Sequence, residues 1–251
     1  MLDNDGLLDN FDTLNNSGLL DNSGTLNNNG TLNNNLGGTL DNNGTLDNFG
    51  TLDNGGTLDN SGTITSTGTL NNNAGATMTL ASGVVNATSI RNNGTFNLNG
   101  GALNVDTFNG NLDNTGATLG AGNLSSFTTI NGDYSQDANS TLLIDILGLN
   151  VSGTATLNGE LKFVGSDYAG VELGYSFDIL VANAILGEFA SVSNRTINEA
   201  LVWKLDYGLD GSSVTATAVS AVPLPAAAWL FISAIAGLAG AKRMARSKRT
   251  A

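Results

Sequence analysis

Leucine recurs at every sixth residue over the N-terminal part of the chain. The column runs Leu2, Leu8, Leu14, Leu20, Leu26 and Leu32. After a two-residue insertion around Leu36 it resumes as Leu40, Leu46, Leu52, Leu58, Ile64 and Leu70. The surrounding unit reads Gly-Thr-Leu-Asp/Asn-Asn-x, as in Gly44-Thr45-Leu46-Asp47-Asn48-Phe49. A helix with 3.6 residues per turn would smear such a column around its axis. A short strand followed by a corner keeps every leucine on one side. Thr-Leu-Asp/Asn supplies three extended residues, and Asn-x-Gly supplies corner residues that adopt positive φ at little cost. One unit buries one leucine, about 2 kcal/mol, against an ordering cost of about 1–2 kcal/mol per residue. A single unit therefore cannot stand alone, and stability must come from stacking. The pattern predicts an all-β chain built as a β-solenoid, or β-helix, of hexapeptide-like repeats, with three hexads (about 18 residues) per coil.

Composition removes several chemistries. The 251 residues include no cysteine and no histidine. Disulfides, thiolate nucleophiles, Cys-type zinc or iron–sulfur sites and His-based triads are thereby excluded. Glycine (33) and asparagine (36) are abundant and aromatics make up only 6%. Nine acidic residues and no basic one precede Arg91; by Ala241 there are 22 acids and four bases, and Lys242 to Ala251 then add five bases and no acid. An acidic body of this kind repels phosphate backbones, so no nucleic-acid partner is expected.

The position after each leucine invites a chemical reading. Stacked carboxylates bind calcium or form acid/base pairs in β-helical polysaccharide-cleaving enzymes. Here the position holds Asp9, Asp21, Asp41, Asp47, Asp53 and Asp59, but also Asn15, Asn27, Asn33 and Asn71. A position that exchanges carboxylate for amide asks for a short hydrogen-bonding side chain, not a proton donor. The threonines before the leucines (Thr25, Thr31, Thr39, Thr45, Thr51, Thr57, Thr63, Thr69) could form a flat binding array but also suit an exposed strand. Neither column is assigned a catalytic or metal role, and no cofactor is expected. The repeat loosens between Thr77 and Leu119, and the solenoid is assigned to residues 1–122.

Residues 123–220 read as longer alternating strands. Thr141 to Leu147, Glu160 to Val164, Tyr175 to Val181, Leu201 to Tyr207 and Ser213 to Val219 are the candidates. Asn158-Gly159 reads as a hairpin turn, and Asp210-Gly211 as another turn. Gly132-Asp133-Tyr134-Ser135-Gln136, Ser152 to Gly159, Phe177-Asp178-Ile179-Leu180, Trp203 to Tyr207 and Val214-Thr215 together resemble a module at the C-terminal end of bacterial autotransporter-like passenger β-helices. That resemblance implies a β-rich cap closing a β-helix on an exported surface protein, and implies no activity. With the general crossover preference it favours a right-handed solenoid; a left-handed hexapeptide helix is the alternative. Asp133, Asp137 and Asp145 read as turn and strand-edge residues.

Residues 221–251 have three parts in order. Val222, Pro223, Leu224, Pro225 and Ala226 hold both prolines and form an extended stretch. Ala226 to Ala241 are uncharged and mostly apolar, including Trp229, Leu230, Phe231, Ile232, Ile235 and Leu238. As a helix they span about 24 Å, short of a hydrocarbon core of about 30 Å, a gap that snorkelling cations or bilayer thinning closes. Apolar residues surround this helix entirely, so it lacks the polar face of a soluble helix. Lys242, Arg243, Arg246, Lys248 and Arg249 follow and place the tail in the cytoplasm. The arrangement resembles the PEP-CTERM class of sorting signals in its Val-Pro-Leu-Pro-Ala form. The resemblance implies processing near the proline motif by an exosortase-like membrane enzyme, in a Gram-negative bacterium that makes extracellular polysaccharide. The helix would then be a single inner-membrane span before processing. Leu2 and Leu8 already lie in phase with the column, and no export signal precedes them, so a fragment of a longer exported protein is expected. The functional expectation is a non-enzymatic structural or adhesive protein of the cell surface or extracellular polysaccharide matrix. A β-helical polysaccharide-cleaving enzyme and a calcium-dependent adhesin are the alternatives.

Overall fold

The computed structural model describes residues 1–121, 127–164, 168 and 170–221. Each hexad is a short strand, and every third strand pairs in parallel. Thr39–Asn42 lies against Thr57–Asn60, with Leu40 opposite Leu58. Three strands therefore complete a coil and define three faces. Leu2 pairs with Leu20 one coil of 18 residues later; the next step, Leu20 to Leu40, is 20 residues because it takes up the insertion at Leu36. The first face then climbs through Leu58, Met78, Phe96, Leu112 and Tyr134 to Ala155, about eight turns from Leu2. The fold is a parallel β-solenoid. No helix occurs among the described residues.

The leucine column lines the inside. Leu20, Leu26, Leu32, Leu40, Leu46, Leu52, Leu58, Ile64 and Leu70 are all 0–1% exposed. Their threonine neighbours face outward and are half-buried or exposed.

The extended segment is one residue longer than the sequence reading allowed, and this changes the interior. Strands run through the second asparagine, as in Thr45–Asn48 and Thr51–Asn54. Two residues beyond the leucine, that asparagine points inward by simple alternation. Asn22, Asn28, Asn42, Asn48, Asn54 and Asn72 are 0% exposed. The amides are thus a structural element of the core and not corner residues. Each satisfies its neighbours along the stack. On the first face Asn4 Nδ2 donates to Asn22 Oδ1 (2.6 Å), Asn22 to Asn42 (2.6 Å) and Asn42 to Asn60 (2.7 Å). On the third face the relay is Asn16 to Asn34, Asn54, Asn72 and Asn92, each at 2.8 Å. The second N–H goes to a threonine carbonyl at the next corner, as from Asn22 to the Thr45 oxygen (2.8 Å). Both donors and the acceptor of a mid-stack amide are therefore used, which makes burial of so polar a group tolerable.

The corners also differ from the expectation of left-handed glycines. Among the glycines up to residue 72 only Gly37, in the insertion, has positive φ (79°). At most other corners two N–H groups converge on one carbonyl of the coil before: Asn43 and Gly44 both donate to the Asn22 oxygen, at 2.9 and 2.8 Å. Glycine is needed for closeness instead. A Cβ on Gly44, Gly62 or Gly68 would overlap the carbonyl oxygen of the glycine stacked on it.

Parallel pairing runs on past residue 122. Thr141–Ile144 pairs with Thr118–Ala121 and with Glu160–Phe163, and the last parallel partner is Ser191–Ser193. From Leu80 onward apolar residues break the inward amide column: Leu80 and Leu98 on the first face, where Asn114 and Gln136 then restore buried amides, and Ala87, Val105, Ala121, Ile144 and Phe163 on the second. Asn158-Gly159 does not make a hairpin. Leu149–Leu157 and Glu160–Phe163 lie on different faces and pair with other coils. Gly159, at φ 64°, turns a corner of the coil. The antiparallel hairpin is the later one, Leu201–Tyr207 with Ser213–Ser220, turning at Asp210-Gly211. Ser213–Ser220 also pairs antiparallel with Ser176–Gly187. Trp203, fully buried, stacks on Phe163 (centroids 5.8 Å apart) and meets Tyr168 and Phe177 edge-on at 5.4 and 5.2 Å.

Candidate functional site

Winding the chain three hexads to a coil separates the Asp/Asn positions onto three faces, which the linear sequence mixes. The second face stacks Asp9, Asn27, Asp47 and Thr65; the third stacks Asn15, Asn33, Asp53 and Asn71. There amides bridge the coils, as Asn27 Nδ2 to Asp9 Oδ1 (2.7 Å), Asn33 to Asn15 (2.8 Å) and Asn71 to Asp53 (2.5 Å). The first face stacks Asp3, Asp21, Asp41 and Asp59 with no amide between them. Successive strands lie about 4.8 Å apart, so carboxylate stands over carboxylate. Partial burial, then the charges of Asp21 and Asp59, push the Asp41 carboxyl above its ordinary value; the Asn43 amide, 3.4 Å away, offsets part of this. Among the described residues no group of three or more His, Cys, Asp or Glu side chains is arranged to hold a metal ion.

Asp133, Asp137 and Asp145 each accept backbone N–H bonds near turns. Asp133 accepts from Thr154 (2.8 Å) and Asp145 from Ile146 (2.7 Å). Asp137 accepts from the Ser140 hydroxyl (2.5 Å), Asn139 N (3.0 Å) and Gly116 N (3.1 Å), and the Ser140 bond chiefly holds its carboxyl below the usual range.

An interruption of the first face lies a few coils on. The step from Phe96 to Leu112 is only 16 residues, and Thr95–Leu98 keeps a single ladder position with Leu112–Asn114, Leu98 opposite Asn114. On either side of this contact the ladder is complete, four positions to the strand before and three to the strand after. Thr95, Phe96 and Asn97 thus have no ladder partners in Asn111, Leu112 and Asp113, and the face loosens into a shallow wedge that ends at Leu98 while the two strands stay neighbours. A cleft of about 610 Å³ fills the opening. Phe96, 8% exposed, forms its floor and packs edge-on against Phe108 at 5.1 Å. Asn93, Asn97, Asn99 and Asn111 supply amides to its walls and Asp113 a carboxylate.

No protein-family model, curated protein or solved structure matches the chain.

The remaining residues singled out by the sequence lie outside the described ones: the motif Val222 to Ala226, the apolar residues Trp229, Leu230, Phe231, Ile232, Ile235 and Leu238, and the basic residues Lys242, Arg243, Arg246, Lys248 and Arg249. Among the described residues no helix is long and apolar enough to cross a membrane. Two features escaped the sequence reading. The acidic face needs the coil length and the insertion before it can be drawn. The cleft arises where the hexad pattern has already decayed, and the sequence carries no signal for it.

Proposed function

We propose that this chain forms an exported, non-enzymatic structural or adhesive rod, delivered through a PEP-CTERM-like signal to the cell surface or the extracellular polysaccharide matrix. The observation that carries this reading is the stack itself. Its leucines, buried amides and close-packed glycines all serve to hold a regular, polar, hydroxyl- and amide-bearing surface. A right-handed coil and a cap formed by the antiparallel hairpin around Trp203 belong to the same reading: the hairpin covers the last parallel strands, whose edge would otherwise be open to pairing. Val222 to Ala226 would be the processing motif, Trp229 to Leu238 the transient span and Lys242 to Arg249 the cytoplasmic tail, with an exosortase-like enzyme as partner.

The test is made in a host that carries such an enzyme. Replacing Pro223 and Pro225 by alanine should leave the protein uncleaved in the inner-membrane fraction, while the unaltered chain reaches the surface or medium. Equal release of both proteins refutes the sorting part. Failure of the released protein to be retained on the host's own exopolysaccharide refutes the adhesive part.

A further inference from the structure

We propose that the wedge between Thr95–Leu98 and Leu112–Asn114 binds a short, uncharged oligosaccharide. The proposal rests on the adhesive reading and names its ligand class and its site. A cleft of about 610 Å³ is within the ordinary range for small-ligand sites. Its walls are amides: Asn93 and Asn99 are exposed, and their side chains have no hydrogen-bond partner among the described residues. Each amide offers two donors and an acceptor, the pairing that vicinal sugar hydroxyls require. Asn111 is fixed by accepting from Asp133 N (3.0 Å), and Asp113 by accepting from the Ser135 hydroxyl, so these two groups are held in place before a ligand arrives. Phe96, 8% exposed and packed edge-on against Phe108, closes the floor and adds only a small apolar contact, so recognition rests on the amides.

The same walls exclude the other classes. No cation lines the cleft, and Asp113 together with a body of 22 acids against four bases up to Ala241 disfavours a polyanion. A largely polar wall gives an apolar ligand little to bury against. An added peptide strand needs a parallel-sided slot, whereas this opening closes at Leu98 opposite Asn114.

The experiment is calorimetric titration of the full chain in detergent with cellotetraose, laminaritetraose, maltotetraose and tetragalacturonate, beside the N93A/N99A double variant. At least one neutral tetrasaccharide should bind, tetragalacturonate should not, and the double variant should bind at least tenfold more weakly at an unchanged melting temperature. The proposal is overturned by no heat from any neutral sugar, by undiminished binding in the variant, or by equal binding of tetragalacturonate. Retention of both proteins on the host exopolysaccharide separates the two readings. Equal retention of both overturns the cleft assignment and leaves the adhesive reading standing. Neutral-sugar binding lost in the variant, with no retention of either protein, supports the cleft and removes the adhesive role.

Discussion

Replacing Asn54 by leucine should be among the most damaging single changes in the repeat. Asn54 is fully buried; it accepts from Asn34 Nδ2 (2.8 Å) and Gly56 N (3.3 Å) and donates to Asn72 Oδ1 (2.8 Å) and to the Thr77 carbonyl (2.8 Å). Leucine has the same branched shape but is bulkier than the amide, so it leaves water no room to replace the lost partners and adds some overpacking. One N–H of Asn34, the Asn72 oxygen and the Thr77 oxygen are each left without that bond, and the Gly56 N–H loses its longer one. At about 1–3 kcal/mol per stranded buried group, the total is about 3–6 kcal/mol after the gain from the added apolar side chain. Asn4 is the control, because it lies in the first described coil, is 8% exposed, and serves only Asn22 and the Thr25 carbonyl. N4L should cost about 1–2 kcal/mol by the same reckoning. The N34L/N54L double variant removes the stranded Asn34 donor along with its acceptor, and should cost at least about 1 kcal/mol less than the sum of the singles. Urea melts followed by the circular-dichroism signal of the sheet, with native-state hydrogen exchange for any variant that melts early, measure all four. An N54L penalty below about 1 kcal/mol, a penalty no larger than that of N4L, or strict additivity in the double variant would refute the claim that the amides act as one satisfied relay.

Gly44→Ala should cost about 2 kcal/mol or more in the same melts, because its new methyl meets the Gly24 carbonyl, whereas Gly18→Ala, with nothing within 4 Å, should be near neutral. Asp41→Asn should stabilise the protein at pH 7 by about 0.5 kcal/mol through removal of a stacked like charge. A carboxyl raised in the folded state makes that state bind protons more readily. The unaltered protein should therefore gain stability as pH falls through the carboxylate range, and D41N should flatten that gain; a steeper slope in D41N would contradict the sign. Trp203→Ala should cost about 3–5 kcal/mol and, on hydrogen exchange, open residues 176–220 before the leucine coils. Simultaneous opening would contradict the reading of the hairpin as a separate covering unit.

The inward leucines and the three-strand coil were legible because one residue type repeats at one spacing. The inward amides were equally legible and were missed. Counting two residues on from each leucine gives Asn4, Asn10, Asn16, Asn22, Asn28, Asn34, Asn42, Asn48, Asn54, Asn60, Ser66 and Asn72, as constant as the leucines themselves. The single exception, Ser66, follows the single isoleucine, Ile64, and still accepts from Asn48 (2.9 Å). Alternation along a strand was enough to place them inside. Asn158-Gly159 misled because a short-range turn signal cannot distinguish a hairpin from a coil corner; the partner strand decides, and it lies a whole coil away. The acidic face depends on which hexads stack, and so on the two residues inserted at Leu36. The cleft depends on a coil two residues short, in a stretch where no period remains to reveal the shortfall.

Because each amide hands its protons to the coil that follows and takes one from the coil before, any mid-stack turn meets identical sockets above and below. Duplicating or deleting a complete turn within Leu20 to Leu70 should therefore leave the fold intact and alter only the reach of the protein, whereas one residue gained or lost within a strand, unlike the pair absorbed in the corner at Leu36, would turn that strand's inward residues outward. Length, in such a molecule, is free to drift by recombination while shape is not.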